Sequence, residues 1–150
     1  NAQLMSVLHQ NTDNKTGKFG MDIALIKYDK LKKEIRYSGA HNPLVIISSG
    51  QVTEIKADRV AIGTTLDCSF TNHSVQVKEG DMIYLYSDGY QDQIGGDKRK
   101  KFLAFQMKEL FQQIYTLEPE KQKEELDKKH LEWRGNIEQI DDILIIGLKI

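Results

Sequence analysis

The apolar residues in the first half of the chain fall into short segments that are separated by turn-forming residues. Met21–Tyr28 is the first segment, and Ile35–Ser38, Leu44–Ile47 and Val52–Ile55 follow it at short intervals. Short apolar segments bounded by Asn, Asp, Gly and Ser are typical of strands joined by tight turns. Because connections this short join antiparallel neighbours, the pattern predicts a mainly antiparallel sheet.

The last third of the chain changes to a helical period. The apolar positions of a first predicted helix are Leu103, Met107, Leu110, Phe111 and Ile114. A second helix is predicted over Glu120–Trp133, with Pro119 at its start and Gly135 at its end. His130 falls on the apolar stripe of that helix, so we interpret it as a packing residue. Strands together with packed helices predict an α+β fold.

Two apolar strands carry acidic residues at ends that would meet if the strands pair. Met82–Tyr86 stops at Ser87-Asp88-Gly89, and Asp141-Asp142 stands directly before Ile143–Leu148. In antiparallel neighbours, about 5 Å apart, Asp88 would lie close to Asp141 and Asp142. Carboxylates this close repel unless a cation joins them, and oxygen-only clusters suit Mg²⁺ or Mn²⁺. The plainer interpretation is that Asp88-Gly89 is only a turn.

Composition narrows the class of protein. The 150 residues predict a single domain over positions 1–150, in which we interpret Asn1-Ala2 as a scar of tag cleavage. A net charge of −1 argues against a nucleic-acid binder. No apolar run reaches the roughly 18 residues of a membrane span, so we expect a cytoplasmic protein without membrane insertion. The one cysteine, Cys68, is interpreted as an unremarkable thiol.

Four segments, in this order along the chain, resemble one family. They read YSGAHNPLVII, IGTT, SDGYQDQIGG and WRGNIEQIDDILIIGLKI. Together they are similar to the SpoIIE-like branch of the metal-dependent protein serine/threonine phosphatases of the protein phosphatase 2C type, from about Phe19 to the C-terminus. The resemblance implies an α-β-β-α sandwich, of which this chain would form part. It also implies that Asp88 and Asp141 are catalytic metal ligands, with Asp142 as a further ligand or a neighbouring acceptor.

The function implied by this resemblance is hydrolysis of phosphoserine or phosphothreonine on a protein substrate, with water activated by two Mn²⁺ or Mg²⁺ ions. The family also has an N-terminal Asp-Gly and a GHG-like segment, and nothing in Asn1–Gly20 matches them. We therefore interpret the chain as a truncated C-terminal portion of a catalytic domain and expect it to be inactive by itself. The alternative is a non-catalytic regulatory or protein-binding module with a degenerate phosphatase fold.

Three further features carry open interpretations. The basic cluster Lys98–Lys101 is placed at the start of a helix, where it is either a solvated face or a surface that attracts a phosphorylated protein. His41 either orders its loop through a hydrogen bond or touches substrate; the substrate-binding residues are otherwise unassigned. If the N-terminal half is missing, an apolar sheet face or an unpaired edge strand would be uncovered, so we expect a homodimer, with Gln3–Gln10 packing on the neighbouring copy. Leu4, Met5 and Leu8 indicate the tail of a helix, followed by a polar loop to Gly20.

Overall fold

The computed structural model of the protein describes residues 20–64 and 68–150. The predictions for the N-terminal helix tail, the polar loop that follows it and the packing of Gln3–Gln10 lie outside the described residues. The chain divides into two compact units, of which the first comprises Asn1–Leu44 and Ile55–Val77 and the second Val45–Glu54 and Lys78–Ile150. The assignment of positions 1–150 to one domain stays a prediction.

The first unit contains a three-stranded antiparallel sheet in the order β1-β2-β5. Its strands are β1 (Ile23–Asp29), β2 (Glu34–Ala40) and β5 (His73–Gln76). The hairpin turn between β1 and β2 forms because the Asp29 carboxylate accepts hydrogen bonds from the backbone N–H groups of Leu31 and Lys32, at 3.1 and 3.0 Å. The predicted hairpin is confirmed.

The loop after β2 is held by hydrogen bonds to backbone carbonyl oxygens. The Tyr37 hydroxyl donates to the carbonyl oxygen of Asn42 at 2.7 Å, and burial raises the pKa of Tyr37 to about 12. The backbone N–H of His41 donates to the carbonyl oxygen of Asp58 at 3.0 Å, while the His41 side chain is exposed. His41 therefore orders the loop through its backbone, and contact with substrate stays a prediction.

The second unit is built on a four-stranded sheet in the order β4-β3-β6-β9. Its strands are β3 (Leu44–Ser48), β4 (Gln51–Ile55), β6 (Met82–Tyr86) and β9 (Ile145–Lys149). Three helices belong to this unit, namely α1 (Gly89–Asp92), α2 (Ala104–Ile114) and α3 (Pro119–Arg134). The α+β class and the mainly antiparallel sheet are as predicted.

The core of the second unit lies between one face of its sheet and helices α2 and α3. Tyr84 of β6 stacks on Phe111 of α2, with ring centroids 4.0 Å apart, and its hydroxyl donates to Oε1 of Gln122 in α3 at 2.7 Å. The buried core side chains are Val45, Ile47, Met82, Tyr84, Tyr86, Tyr90, Phe102, Met107, Leu110, Phe111, Ile114 and Leu126. Helix α3 begins at Pro119 and is followed by Gly135 at φ 54°, as its sequence predicts.

The prediction that the basic cluster Lys98–Lys101 lies at the start of a helix was wrong. Residues 94–101 form a short β-hairpin of β7 (Ile94–Gly95) and β8 (Lys100–Lys101), and α2 begins only at Ala104. The physical reason is the backbone of Leu103, whose φ of 73° lies in the left-handed region and stops a helix from extending backwards. No helix within residues 20–64 and 68–150 is both long and apolar enough to cross a membrane.

Candidate functional site

The ends of β6 and β9 meet as the order of acids and strands predicts. The two strands pair antiparallel, with Tyr86 opposite Ile145, and the backbone N–H of Ser87 extends the ladder by donating to the carbonyl oxygen of Leu144 at 3.0 Å. The segment with Asp88 directly follows β6, and the segment with Asp141 and Asp142 comes just before β9. The two segments therefore lie side by side at one end of the strand pair, although 52 residues of chain separate Asp88 from Asp141.

Ser87 links the two segments through its side chain. Its Oγ donates to the carbonyl oxygen of Asp142 at 3.1 Å and accepts from the N–H of Leu144 at 3.0 Å. A hydroxyl can fill both roles at once because it is a donor and an acceptor. Sequence reasoning gave no role to this serine. Its position immediately before Asp-Gly at the end of a buried strand was the available signal.

Gly89 lies against the backbone of the late acidic segment. A β-carbon at Gly89 would overlap the carbonyl oxygen of Asp142 and lie 2.9 Å from its carbonyl carbon and 3.3 Å from Cγ1 of Ile143. Gly89 was predicted to lie in a turn, but it is the first residue of the one-turn helix α1. The requirement for glycine is the close approach of another backbone, which leaves no room for a side chain.

All three predicted acidic side chains are exposed. Asp88 holds the N-cap position of α1 with helical backbone angles, and its side chain makes no capping hydrogen bond. Oδ1 of Asp141 accepts from the N–H of Asp142 at 2.7 Å, and the Asp141 carbonyl accepts from Nε2 of Gln139 at 2.8 Å. Within residues 20–64 and 68–150, none of the three carboxylates forms an ion pair. The carboxylates of Asp88 and Asp142 and the second carboxylate oxygen of Asp141, Oδ2, are therefore available to a cation.

The donor chemistry fits a hard divalent cation, since every candidate ligand is a carboxylate oxygen. The described part of the chain nevertheless contains no group of three or more His, Cys, Asp or Glu side chains arranged to hold a metal ion. The structure brings together the backbones that carry Asp88, Asp141 and Asp142, and the metal-binding roles of these residues stay predictions.

Gln93 is a second residue that the sequence analysis did not identify. It is fully buried, and its Nε2 donates to the carbonyl oxygens of Ile94 and Glu138 at 3.0 and 3.1 Å. The backbone carbonyl oxygen of Gln93 accepts hydrogen bonds from Nε1 of Trp133 and from the backbone N–H of Phe102, both at 3.0 Å. Gln93 thereby ties α1 to the segment that leads into Asp141.

A cavity of about 520 Å³ borders the same segment on the side of α3. Ile143 and Leu144 line it, together with Tyr90 and His130, but none of the three predicted acidic ligands does. His130 is 9% exposed and lies against Tyr90, with ring centroids 5.2 Å apart, so it packs as predicted. Burial raises the pKa of Tyr90, whose hydroxyl donates to the carbonyl oxygen of Leu126 at 2.8 Å.

Three solved structures with a similar fold are described as phosphatases or phosphatase domains. The PP2C domain of SiaA from Pseudomonas aeruginosa is 26% identical, with a TM-score of 0.80, and the match covers 86% of this chain and 51% of that one. The phosphatase domain of the cell fate determinant SpoIIE from Bacillus subtilis is 16% identical, with a TM-score of 0.65 and coverages of 99% and 64%. The Mycobacterium tuberculosis serine/threonine phosphatase PstP/Ppp is 14% identical, with a TM-score of 0.62 and coverages of 97% and 65%.

The chain therefore spans between half and two thirds of the length of these structures. A search of curated protein sequences finds no match. The sequence profile of the family described as Stage II sporulation protein E (SpoIIE) matches residues 2–150, which is nearly the whole chain. This protein chain belongs to the SpoIIE family and has the fold of PP2C-type phosphatase domains.

Proposed function

We propose that this chain forms part of a metal-dependent phosphatase that hydrolyses phosphoserine or phosphothreonine on a protein substrate. The observation that carries the proposal is the junction of β6 and β9, where Ser87 and Gly89 hold the segment of Asp88 against that of Asp141 and Asp142. Membership of the SpoIIE family supports it, as does the likeness to phosphatase domains. Another solved structure of the SpoIIE phosphatase domain from Bacillus subtilis is described as Mn presoaked.

Asp88 and Asp141 would hold the metal, which we take to be Mn²⁺ or Mg²⁺. Asp142 would be a further ligand or an acceptor for a metal-bound water. Two ions held together can lower the pKa of a bound water and neutralise phosphoryl oxygens. The contribution of this chain is to keep its carboxylates exposed, without ion pairs to residues 20–64 and 68–150, and on backbones positioned by strand pairing.

By itself the 150-residue chain should turn over substrate negligibly. Its described residues supply no group of three metal-binding side chains, and its N-terminal residues lack the Asp-Gly motif of the family. Sites with few charged ligands bind divalent ions weakly, with dissociation constants near roughly 10⁻⁴–10⁻³ M.

The test is Mn²⁺-dependent hydrolysis of a phosphoserine peptide by the full-length protein and its variants. Replacing a residue that only supports a metal ligand typically lowers metal affinity or activity about 10–100-fold. Because Asp88 and Asp141 would be direct ligands, Asp88→Asn or Asp141→Asn should lower activity by more than about 100-fold. Asp22→Asn is the matched control, because it makes the same change at an exposed acid outside the site.

Activity of Asp88→Asn and Asp141→Asn near that of the wild type would contradict the assignment of ligands. Tight binding of the phosphopeptide without turnover by the wild type at any Mn²⁺ or Mg²⁺ concentration would favour the non-catalytic binding module. Circular dichroism of each variant shows whether a loss of activity comes from a loss of fold.

A further inference from the structure

We propose that the hairpin of residues 94–101, called here the basic hairpin, is a docking element for acidic phosphorylated protein substrates. This inference rests on the proposed function, since it names the class of substrate that the same site would receive. It goes beyond that function by assigning substrate recognition to residues outside the acidic site.

The first observation is the charge of the hairpin. Lys98, Arg99, Lys100 and Lys101 are consecutive and exposed, in a chain whose net charge is −1. Lys101 forms an ion pair with Asp92 at 2.6 Å, whereas the other three cations have no ion pair within residues 20–64 and 68–150. Adjacent like charges repel one another weakly in water, and the one acid in the hairpin, Asp97, leaves an excess of positive charge that an anionic partner would neutralise.

The second observation is that the turn does not require these side chains. It is formed by backbone groups, with the N–H of Arg99 donating to the carbonyl oxygen of Gly96 at 3.1 Å. Arg99 has a φ of 46°, in the left-handed region where glycine or asparagine would be less strained. The Arg99 guanidinium is therefore not needed to form the turn, and guanidinium groups bind anions in a bidentate manner.

The third observation is the distance from the acidic site. The N–H of Asp92 donates to the carbonyl oxygen of Asp88 at 2.9 Å across the single turn of α1, whose length is about 6 Å. Nζ of Lys101 contacts Asp92, and the N–H of Leu103 donates to the carbonyl oxygen of Gln91 at 2.8 Å. The base of the hairpin therefore lies one helical turn from a predicted metal ligand.

The fourth observation is that this base is rigid. A β-carbon at Gly95 would overlap the carbonyl oxygen of Trp133, and the N–H of Gly96 donates to the same oxygen at 2.8 Å. Phe102, which follows β8, is 1% exposed and packs edge-to-face on Trp133 and Tyr90. A rigid base holds the cations in place before binding and so lowers the entropic cost of docking.

The partner that this surface fits is a protein segment in which acidic residues flank the phosphorylated residue. A phosphoserine or phosphothreonine carries a charge of about −1.5 to −2 at pH 7, and neighbouring carboxylates extend the anionic surface. While the phosphate enters the acidic site, those carboxylates would reach the basic hairpin one helical turn away. A nucleic acid is the competing class of ligand, and the low net charge of the chain favours the protein.

The experiment uses the full-length protein with Mn²⁺ and three substrates. Two are phosphoserine peptides of equal length, one flanked by Asp and Glu and the other by Lys, and the third is p-nitrophenyl phosphate. The hairpin variant is Lys98→Glu/Lys100→Glu, and its control is Lys128→Glu/Lys129→Glu, which makes the same charge change on exposed residues of α3. Lys101 is left intact because it pairs with Asp92.

We expect the wild type to prefer the acidic peptide and the hairpin variant to raise KM for that peptide about tenfold. The value of kcat for p-nitrophenyl phosphate should not change, and the control should behave as the wild type. The difference should shrink between 0.1 M and 1 M salt, because the Debye length falls from about 10 Å to about 3 Å.

An unchanged KM in the hairpin variant would overturn the proposal, and so would an equal rise in the control. Binding of a 20-nucleotide single-stranded DNA that competes with the peptide and weakens in the same variant would assign the hairpin to nucleic acid instead. If the wild type hydrolyses none of the three substrates, the proposed function fails. Fluorescence anisotropy of the acidic peptide with the two variants then still decides the role of the hairpin.

Discussion

Gly89 and Ser87 determine the junction of the two acidic segments at the scale of single residues. Ser87 bonds to the backbone on both sides of Ile143, and Gly89 leaves no gap between α1 and Asp142. Neither residue has an ionisable side chain. Their effect on a metal site would come through position, since carboxylates must be held within about 0.5 Å of a productive geometry.

The first prediction at this scale concerns Gly89→Ala. The added methyl group would meet backbone atoms of Asp142, which cannot rotate away, so we expect a loss of about 1–3 kcal/mol in the free energy of unfolding. Mn²⁺ affinity of the full-length protein should fall as well, because the acidic segments must separate. Urea unfolding and metal titration measure the two effects.

Gly147→Ala, in β9, is the matched control. Its β-carbon would meet the flexible end of Met82, which can move, and would lie at ordinary contact distances of 3.5 and 3.7 Å from the Tyr84 ring. A Gly89→Ala protein as stable as the Gly147→Ala protein, with unchanged Mn²⁺ affinity, would show that the close approach at Gly89 is not required.

The lowered pKa of His130 predicts how the free energy of unfolding changes with pH. Burial lowers the pKa of His130 below its usual value of 6.5, the nearby Arg134 lowers it further, and Asp127 opposes the shift. Since the folded protein then binds a proton less readily than the unfolded chain, stability is fully present above pH 6.5 and is lost as the pH falls through the lowered pKa. The difference in unfolding free energy between wild type and His130→Gln, followed from pH 8 to pH 5, isolates this term. A difference that does not change with pH would contradict the prediction.

At the scale of elements, α1 connects three features that are far apart in the sequence. Its N-cap residue Asp88 follows β6, its last residue Asp92 holds the basic hairpin, and Gln93 just after it bonds to the segment that precedes Asp141. A helix of one turn has no stability by itself. It is held by Tyr90, which is buried among α3 and Phe102. The packing of α3 on this turn therefore controls the positions of the acidic site and the basic hairpin together.

At the scale of the whole molecule, β9 is one of the two outer strands of its sheet among the described strands, the other being β4. The apolar residues Leu144 and Ile146 beside and within it are 60% and 49% exposed. Exposed apolar edges of this kind favour association with another chain. The predicted homodimer remains a proposal, for which this edge is the surface we favour.

The corresponding prediction is that the 150-residue chain associates and that Ile146→Lys prevents it, because a charge on an edge strand opposes pairing. Sedimentation velocity at several concentrations measures the effect. Leu31→Lys is the control, since Leu31 is 98% exposed but lies in the turn between β1 and β2. A wild-type chain that stays monomeric at high concentration would refute the proposal.

Most of the fold followed from local patterns. The spacing of apolar residues predicted the strand segments, and Pro119 and Gly135 predicted the limits of α3. The reversed order of acid and strand predicted the pairing of β6 with β9. These features are readable in sequence because each reflects a preference of neighbouring residues for a backbone conformation or for burial. The identities of Asp88, Asp141 and Asp142 as candidates came from the same patterns and from the family resemblance.

The features that sequence reasoning missed depend on contacts between distant segments. The basic cluster forms a hairpin because Phe102 and Trp133 pack its base, and because Leu103 adopts a left-handed backbone that propensity does not predict. Position 89 must be glycine because the backbone of Asp142 leaves no room for a β-carbon. Position 93 places an amide that donates to the carbonyl oxygen of Glu138. The sequence by itself determined which segments become strands and helices and where the acids stand along them. Only the tertiary structure decided which small and polar residues hold those acids together, because that depends on packing between segments about 45 to 55 residues apart.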